Sequence, residues 1–195
     1  MKKINEIFYS IQGEGFNVGT PAIFIRFAKC NLKCSFCDTE YDDGTMMTDE
    51  EIVKQVRTYP AELIIITGGE PGLSLDYDLV QALKNAGKRI AVETNGTKEL
   101  PCNVDWVTIS PKDLFCKGAD LVLKNADEVK VVYVNKEQDI SKYPNLIKAD
   151  HYYVQPCATG NQEIDVKIVK DAVDYVLKNP LWHLSIQMHK IINIQ

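Results

Sequence analysis

Short apolar runs alternate with helical patterns along most of the chain, and this alternation limits the possible folds more than any other feature. Several runs, such as Leu63-Ile64-Ile65-Ile66, are apolar without interruption, as is typical of strands buried on both faces. The seven predicted strands span residues 22–27, 63–67, 89–93, 106–110, 129–134, 152–155 and 183–187. Strand–helix alternation predicts right-handed crossovers and a mostly parallel sheet.

Helix signals lie between these runs. Thr48-Asp49-Glu50-Glu51 has the pattern of a capping box, and Asp76 can cap a helix that Gly87 ends. The clearest helix is predicted over residues 163–178, before Asn179-Pro180. Its apolar face would carry Ile164, Ile168, Ala172, Val173, Val176 and Leu177.

The length of the chain limits how many such units it can hold. A complete eightfold barrel takes about 250 residues, whereas this chain has 195. We therefore predict one α/β domain over residues 1–195, built as an incomplete TIM-type barrel of mostly parallel strands. Its site should lie at the carboxyl ends of the strands.

Composition excludes several classes of protein. A net charge of −5 argues against a broad nucleic-acid-binding surface, and a small-molecule substrate suits it better. No apolar stretch reaches the length of a membrane span, and the first six residues lack the apolar run of a signal peptide. We expect a cytoplasmic enzyme without membrane or nucleic-acid partners.

Three cysteines, Cys30, Cys34 and Cys37, follow the first predicted strand with the spacing C-x3-C-x2-C. A closed structural zinc site needs four ligands, whereas three thiolates on a cubane iron–sulfur cluster leave one iron open. Zinc completed by a remote histidine stays possible, as in a non-catalytic zinc-binding module; the histidines are His151, His183 and His189. Three other cysteines stand apart and are interpreted as apolar or surface thiols: Cys102, Cys116 and Cys157.

A second motif, Thr67-Gly68-Gly69-Glu70-Pro71, directly follows a predicted strand. Paired glycines let the backbone approach a ligand closely, and Glu70 could accept from an ammonium group or brace the loop. Together with the three cysteines and Phe36, this motif resembles the radical S-adenosylmethionine (SAM) superfamily. The resemblance implies a radical SAM fold, a [4Fe–4S] cluster, SAM, and flavodoxin or ferredoxin as electron donor.

Further motifs narrow the resemblance. Gln12-Gly13-Glu14-Gly15 lies near the start, Glu93-Thr94-Asn95-Gly96 follows a strand, and the chain ends with His189-Lys190-Ile191-Ile192-Asn193-Ile194-Gln195. Nearly the whole chain resembles the 7-carboxy-7-deazaguanine synthase family of 7-deazapurine (queuosine) biosynthesis. The implied reaction contracts the ring of 6-carboxy-5,6,7,8-tetrahydropterin and eliminates ammonia. A glycyl-radical activase, the nearest alternative, would leave the Gln12 segment and Arg26 unexplained.

The resemblance also implies roles for individual residues, though no side chain as an obligatory acid or base. Cys30, Cys34 and Cys37 would hold the cluster, and Thr39 would coordinate Mg²⁺. SAM would contact Phe36, Cys37, Asp38, Gly69, Ser110, Pro111, Lys112, Gln155, Pro156, Cys157 and Ala158. The pterin would contact Ile11, Gln12, Gly13, Arg26, Thr67 and the terminal carboxylate of Gln195. Arg26 is also singled out by its place within an apolar strand, where an unpaired cation is costly.

Three points stay open at this level. If the last strand extends far enough, Ser185, Gln187 and His189 alternate onto one face. Residues 41–47 look like a loop without an obvious role, and one helix between Cys37 and Thr67 is expected to be lost or reduced. A homodimer is implied by the resemblance alone, and neither the physiological reductant nor the downstream pathway follows from the sequence.

Overall fold

A single mixed sheet organises the chain in the computed structural model, which describes residues 1–37 and 42–194. Within these residues it has nine strands: β1 Lys2–Ile11, β2 Pro21–Phe27, β3 Thr45–Met47, β4 Leu63–Gly68, β5 Arg89–Thr94, β6 Trp106–Ile109, β7 Glu128–Tyr133, β8 His151–Pro156 and β9 Trp182–Leu184. Their spatial order is β3-β1-β2-β4-β5-β6-β7-β8-β9. From β2 to β9 all neighbouring strands are parallel, and the sheet is not closed, which confirms the predicted incomplete barrel.

Two strands were not predicted from the sequence. β1 pairs antiparallel with β2, so that Ile11 lies opposite Pro21 and the chain leaves β1 at the amino edge of the parallel strands. β3 pairs antiparallel with the other side of β1, so residues 45–47 form a strand rather than a loop. β1 and β3 therefore extend the parallel part of the sheet beyond β2, and neither has the apolar run of a parallel strand.

The helices pack on the outer face of the sheet or follow its strands: α1 Asp49–Val56, α2 Tyr77–Asn85, α3 Tyr143–Leu146, α4 Gln162–Lys178 and α5 Met188–Ile192. Both predicted caps are present, since the Thr48 hydroxyl accepts from the amide of Glu51 and Asp76 accepts from that of Leu79. Between Cys37 and Thr67 the described residues hold one α-helix, α1, which is the eight-residue helix predicted from the capping box. In the described chain the connections from β5 to β6 and from β6 to β7 contain no α-helix. No helix of the described residues is long and apolar enough to span a membrane.

Two predictions near the carboxyl end need correction. On α4, Ile168 and Ala172 are buried as expected, but Ile164 (48% exposed) and Leu177 (76% exposed), near its two ends, are not. The last strand ends at Leu184 rather than residue 187, so Ser185, Gln187 and His189 do not alternate along a strand. His189 instead lies in α5.

The alternation of side chains along β2 separates two environments. Ile23 and Ile25 belong to the core between the sheet and helices α1 and α2. Phe24 packs with Phe8 and Ile65 in a smaller apolar cluster, and Phe24, Phe8 and Arg26 line the concave side of the sheet. Since side chains alternate across a strand, the outer face stabilises the fold and the inner face builds the cavity.

Candidate functional site

A cavity of about 450 Å³ fills the concave side of the sheet, and residues from both ends of the chain line it. Most of the predicted site residues meet there: Ile11, Gln12, Gly13, Arg26, Cys30, Cys34, Phe36, Cys37, Thr67, Gly69, Ser110, Lys112, Gln155, Pro156, Cys157 and Ala158. Of the described candidates, Pro111 alone does not line it. Asp38, Thr39 and Gln195 lie outside the described residues. The volume is of the size that accommodates small-molecule ligands.

The three motif cysteines lie in the loop that follows β2, at the carboxyl edge predicted from the sequence. None of the three is in a disulfide among the described residues, and the amide of Cys37 donates to the carbonyl of Cys34 across a turn (3.2 Å). The amide of Leu32 donates to the Sγ of Cys30 (3.4 Å), a contact of the kind that stabilises a thiolate. Burial, followed by the hydrogen bond with Cys116, raises the pKa of Cys34 to about 12. A metal that displaces this proton would therefore be needed to hold Cys34 as a thiolate. Three thiols on one short loop, facing a shared cavity, fit a cluster with one open iron.

Two contacts fix the position of this cysteine loop. A side chain at Gly69 would collide with the backbone carbonyl of Lys29, so only glycine permits the close approach of β4 to the loop. The Asn31 amide donates to the hydroxyl of Thr97 (2.8 Å) and accepts from the amide of Asn95 (3.1 Å). The loop is thus attached to the ends of two parallel strands, β4 and β5.

Glu70 braces the glycine motif rather than facing the cavity. It is fully buried, and its carboxylate accepts from the Thr94 hydroxyl (2.6 Å) and from the backbone amides of Asn95 (2.8 Å) and Gly72 (2.9 Å). Burial raises the pKa of this carboxyl, although these three donors oppose the shift. Of the two roles open to Glu70 from the sequence, the structure supports the brace.

The expected SAM residues surround the upper end of the cavity, which lies at the carboxyl edge of the sheet beside the cysteine loop. Phe36 packs edge-to-face on Phe115, with ring centroids 4.5 Å apart. The ammonium group of Lys112 donates to both the carbonyl (2.7 Å) and the hydroxyl (2.6 Å) of Ser110. Burial lowers the pKa of Lys112 to about 8. This arrangement presents an aromatic face, a cation and backbone groups to a nucleoside that also carries an amino acid.

Arg26 provides a cation on the β2 wall of the cavity. Its Nε is paired with a carboxylate oxygen of Glu6, 2.8 Å away. The guanidinium group also lies over the Phe8 ring, 5.4 Å from its centroid. Arg26 lines the cavity, so its remaining N–H groups can meet an anionic ligand.

The floor of the cavity, its lower end, is formed by the loop between β1 and β2, residues 12–20. This loop enters at the amino edge of the sheet, opposite the cysteines, and the sequence did not predict that position. After β1 the chain turns inward, and the Gln12 side chain donates to Glu93 (3.0 Å). A side chain at Gly13 would collide with the imidazole of His189. The site therefore extends from the carboxyl edge, where the cysteines lie, down to this inserted loop.

An aromatic stack closes the amino edge below that loop. Phe16 stacks on Trp106 (4.8 Å) and tilts against His151 (4.4 Å), which begin strands β6 and β8. The amide of Gly15 donates to the Ser185 hydroxyl (3.0 Å), and that of Phe16 donates to Glu128 (3.0 Å). These contacts attach the loop to the first residues of β6, β7 and β8 at the amino edge of the sheet.

Lys130 and Glu93 line the cavity although the sequence did not single them out as site residues, whereas Glu14 adjoins the substrate segment predicted from the sequence. Lys130 contacts carboxylates of Glu14 (2.6 Å) and Glu93 (3.3 Å), and Gln187 donates to Glu14 (2.9 Å). Lys130 could have been found in the same way as Arg26, since it too is a cation within an apolar strand. His189 lines the cavity beside Gly13, but it follows a turn that the alternation pattern did not reveal.

The remaining cysteines and histidines occupy different places. Cys116, which is isolated in the sequence, lies beside Cys34, and this corrects its interpretation as an isolated thiol. Cys102 is exposed and Cys157 is buried, as expected for surface and apolar thiols. Of the histidines considered as zinc ligands, His151 packs with Phe16 at the amino edge and His183 packs against Tyr153.

Comparison with known proteins shows similarity along the whole chain. The family model described as "Radical SAM superfamily" matches residues 24–125. A protein from Bacteroides thetaiotaomicron named 7-carboxy-7-deazaguanine synthase is 52% identical over 195 residues, covering 100% of both chains. One of the same name from Haemophilus influenzae is 38% identical, covering 98% of this chain and 93% of its own. The crystal structure of QueE from Escherichia coli superposes with a TM-score of 0.78 at 26% identity, covering 96% of this chain and 94% of that one.

Proposed function

The chain belongs to the 7-carboxy-7-deazaguanine synthases of the radical SAM superfamily, and from this premise we propose how its residues share the reaction. The enzyme is a lyase that converts 6-carboxy-5,6,7,8-tetrahydropterin to 7-carboxy-7-deazaguanine with loss of ammonia, in 7-deazapurine biosynthesis. It uses a [4Fe–4S] cluster and SAM. These findings favour the synthase over the glycyl-radical activase and the zinc-binding module.

One observation carries the assignment of roles: a single cavity joins the three cysteine thiols to Arg26 and Thr67. The cluster, when bound to Cys30, Cys34 and Cys37, supplies the electron that splits SAM into methionine and a 5′-deoxyadenosyl radical. The protein then has to hold the pterin next to the nucleoside. Proximity of this kind contributes several kcal/mol, about 7–11 in well-oriented cases.

We assign the SAM end of the cavity to the carboxyl edge of the sheet. Lys112 and Ser110 lie on one side, and Gln155, Pro156, Cys157 and Ala158 on another. Phe36 supports this end from the cysteine loop through its contact with Phe115. Gly69 keeps the cysteine loop close to β4, so the residues that would hold the cluster and those that would hold the nucleoside form one side of the cavity.

We assign the pterin to the lower end. Arg26 suits the substrate carboxylate, because it lines the cavity and guanidinium binds carboxylates with two parallel hydrogen bonds. The Glu93 carboxylate accepts hydrogen bonds from the side chains of Gln12 and Thr67, and all three residues line the cavity. Its carboxylate can accept from the adjacent N–H and amino donors of the pterin ring, just as carboxylates accept from the donor edges of bases.

Three further features stay proposals from the family. Thr39 coordinates Mg²⁺ beside the substrate carboxylate, which agrees with the preference of Mg²⁺ for oxygen ligands that include substrate groups. The carboxylate of Gln195 contacts the pterin, and a flavodoxin or ferredoxin reduces the cluster. The enzyme is a homodimer.

The direct test is turnover by anaerobically prepared protein that contains about four irons per chain. Reduced enzyme, SAM and carboxytetrahydropterin should yield ammonia and a deazapurine, with SAM regenerated. A Cys34→Ala variant is expected to lose both the cluster and the activity, whereas Cys102→Ala, at an exposed thiol, should retain both. Brown, iron-containing protein that releases no ammonia from this pterin would contradict the assignment.

A further inference from the structure

Lys130 is a cation on the floor of the cavity. It is surrounded by Glu14 from the loop after β1, Glu93 from β5 and Glu128 from β7. Its ammonium group lies 2.6 Å from Oε2 of Glu14 and 3.3 Å from Oε1 of Glu93. Only 6% of its side chain is exposed, compared with 14% for Glu14 and 24% for Glu93. A group of this kind is costly to bury unless its partners are present.

Glu14 and Glu93, the two carboxylates that Lys130 contacts, do more than stabilise the fold. Both line the cavity, and both are attached to the inserted loop: Glu14 is part of it, and Glu93 accepts from Gln12. Lys130 therefore links the loop that forms the floor to the β5 wall. Its position also keeps two negative charges close together on one ligand-facing surface.

We propose that Lys130 is a positioning residue for the substrate: it holds the carboxylates of Glu14 and Glu93 in place, so that both present acceptors to the donor edge of the pterin. This inference rests on the function proposed above. The pterin ring carries N–H and amino donors on one edge, and a protonated carboxyl would place a competing donor against them. Lys130 thus contributes to recognition through the two carboxylates.

The electrostatics agree with this geometry. Burial alone would raise the pKa of Glu14, but the charge and hydrogen bond of Lys130, together with Gln187, lower it to about 2. Burial would lower the pKa of Lys130, but Glu14, Glu93 and Glu128 together raise it. Lys112, from the loop after β6, is a further charged group that interacts with Lys130. Without Lys130, Glu14 would lose the charge and the hydrogen bond that offset its burial, so its pKa would rise.

The test is equilibrium binding of carboxytetrahydropterin to the anaerobic, cluster-containing enzyme without reductant, so that no turnover occurs. Calorimetric titrations between about pH 6 and pH 8 compare the wild type with Lys130→Met and Lys130→Arg. The wild-type profile is the reference, because Glu128, whose pKa burial raises to about 7, titrates in this range. Relative to the wild type, the affinity of Lys130→Met should fall about tenfold more at pH 6 than at pH 8, because Glu14 without its cation is more readily protonated as the pH falls.

Two further variants separate positioning from a merely structural role. Lys130→Arg should restore the wild-type profile, because it keeps the charge. The double variant Lys130→Met/Glu14→Gln should lose the additional pH dependence, because residue 14 can no longer take up a proton; it provides the test if Lys130→Met alone does not fold.

Two outcomes would overturn the role of Lys130 while leaving the proposed function intact: Lys130→Met binding like the wild type at every pH, or a uniform loss of affinity that Lys130→Arg shares. A double variant that keeps the additional pH dependence would overturn it as well. A wild-type holoenzyme that fails to bind this pterin at any pH would instead contradict the proposed function itself.

Discussion

The Sγ atoms of Cys34 and Cys116 lie 3.4 Å apart, although 82 residues separate them in the sequence. Cys34 belongs to the cluster motif, whereas Cys116 follows the predicted SAM segment after β6. A disulfide needs a sulfur separation of about 2.0 Å, so a modest movement of the two loops would allow one to form. The contact therefore connects the integrity of the cluster to the redox state of the protein.

We expect the two thiols to form a disulfide when the cluster is absent and a peroxide is supplied. Each disulfide consumes one hydrogen peroxide, oxidises two thiols and releases two waters. Peptide mapping without reductant should find Cys34 joined to Cys116, and cluster rebuilding from iron and sulfide should then require a dithiol. Cys116→Ser should rebuild its cluster without one, and Cys102→Ser should behave like the wild type. A bond between Cys34 and Cys37 instead would refute this prediction.

Replacing Arg26 tests the carboxylate subsite. Arg26→Gln removes the charge and the paired donors, and hydrogen bonds to charged groups contribute about 1.5–3 kcal/mol. The value of kcat/KM for carboxytetrahydropterin should fall by roughly tenfold to a hundredfold. Arg26→Lys should recover only part of this loss, since an ammonium group lacks the planar pair of donors.

Arg57→Gln, on the exposed end of α1, is the matched control and should leave kinetics unchanged. Unchanged kinetics in Arg26→Gln would remove Arg26 from the pterin site. A pure loss of iron would assign Arg26 to the stability of the cysteine loop instead.

The parallel strands could be predicted from the sequence because burial on both faces leaves continuous apolar runs, as in Leu63-Ile64-Ile65-Ile66. β1 left no such signal: its first residues include Lys2, whose side chain is 5% exposed because Asp49 and Asp76 pair with it. Tertiary ion pairs of this kind override the local pattern. The cysteine and glycine motifs likewise indicated the upper end of the site, because their spacing is local.

The lower end of the site could not be predicted in the same way. Glu93 and Lys130 come from separate strands, and Glu14 comes from a loop that enters from the opposite edge. Their association depends on the three-dimensional arrangement alone. A charged residue within an apolar strand is the one local signal, and it was applied to Arg26 but not to Lys130.

The aromatic closure below the cavity predicts a defect in coupling. Aromatic pairs contribute about 0.5–1.5 kcal/mol each, and Phe16 makes two such contacts, with Trp106 and His151. Phe16→Ala should therefore increase opening of the inserted loop by roughly tenfold and admit water. Because the proposed reaction regenerates SAM, the sign of this defect is 5′-deoxyadenosine that accumulates relative to product. Val18→Ala, in the same loop and 47% exposed, should remain coupled. Tight coupling in Phe16→Ala would show that the stack does not protect the radical.

Glu128 predicts how stability changes with pH. Burial first, then the charges of Glu93 and Glu14, raise its pKa from 4.5 to about 7, although Lys130 opposes the shift. A carboxyl whose pKa is raised in the folded state favours folding while protonated. Its contribution is complete below about pH 4.5 and is lost as the pH rises through 7.

Glu128→Gln mimics the protonated form and keeps an acceptor for the amide of Phe16. The variant should therefore match the wild type near pH 4.5 and exceed its stability by up to about 3 kcal/mol above pH 8. For a chain of this size, the melting temperature of the holoenzyme should rise by several degrees at pH 8, at about 2–4 °C per kcal/mol. Glu137→Gln, at an exposed position, should show no such gain. A constant difference between Glu128→Gln and wild type from about pH 5 to pH 8 would mean that Glu128 is already ionised throughout this range.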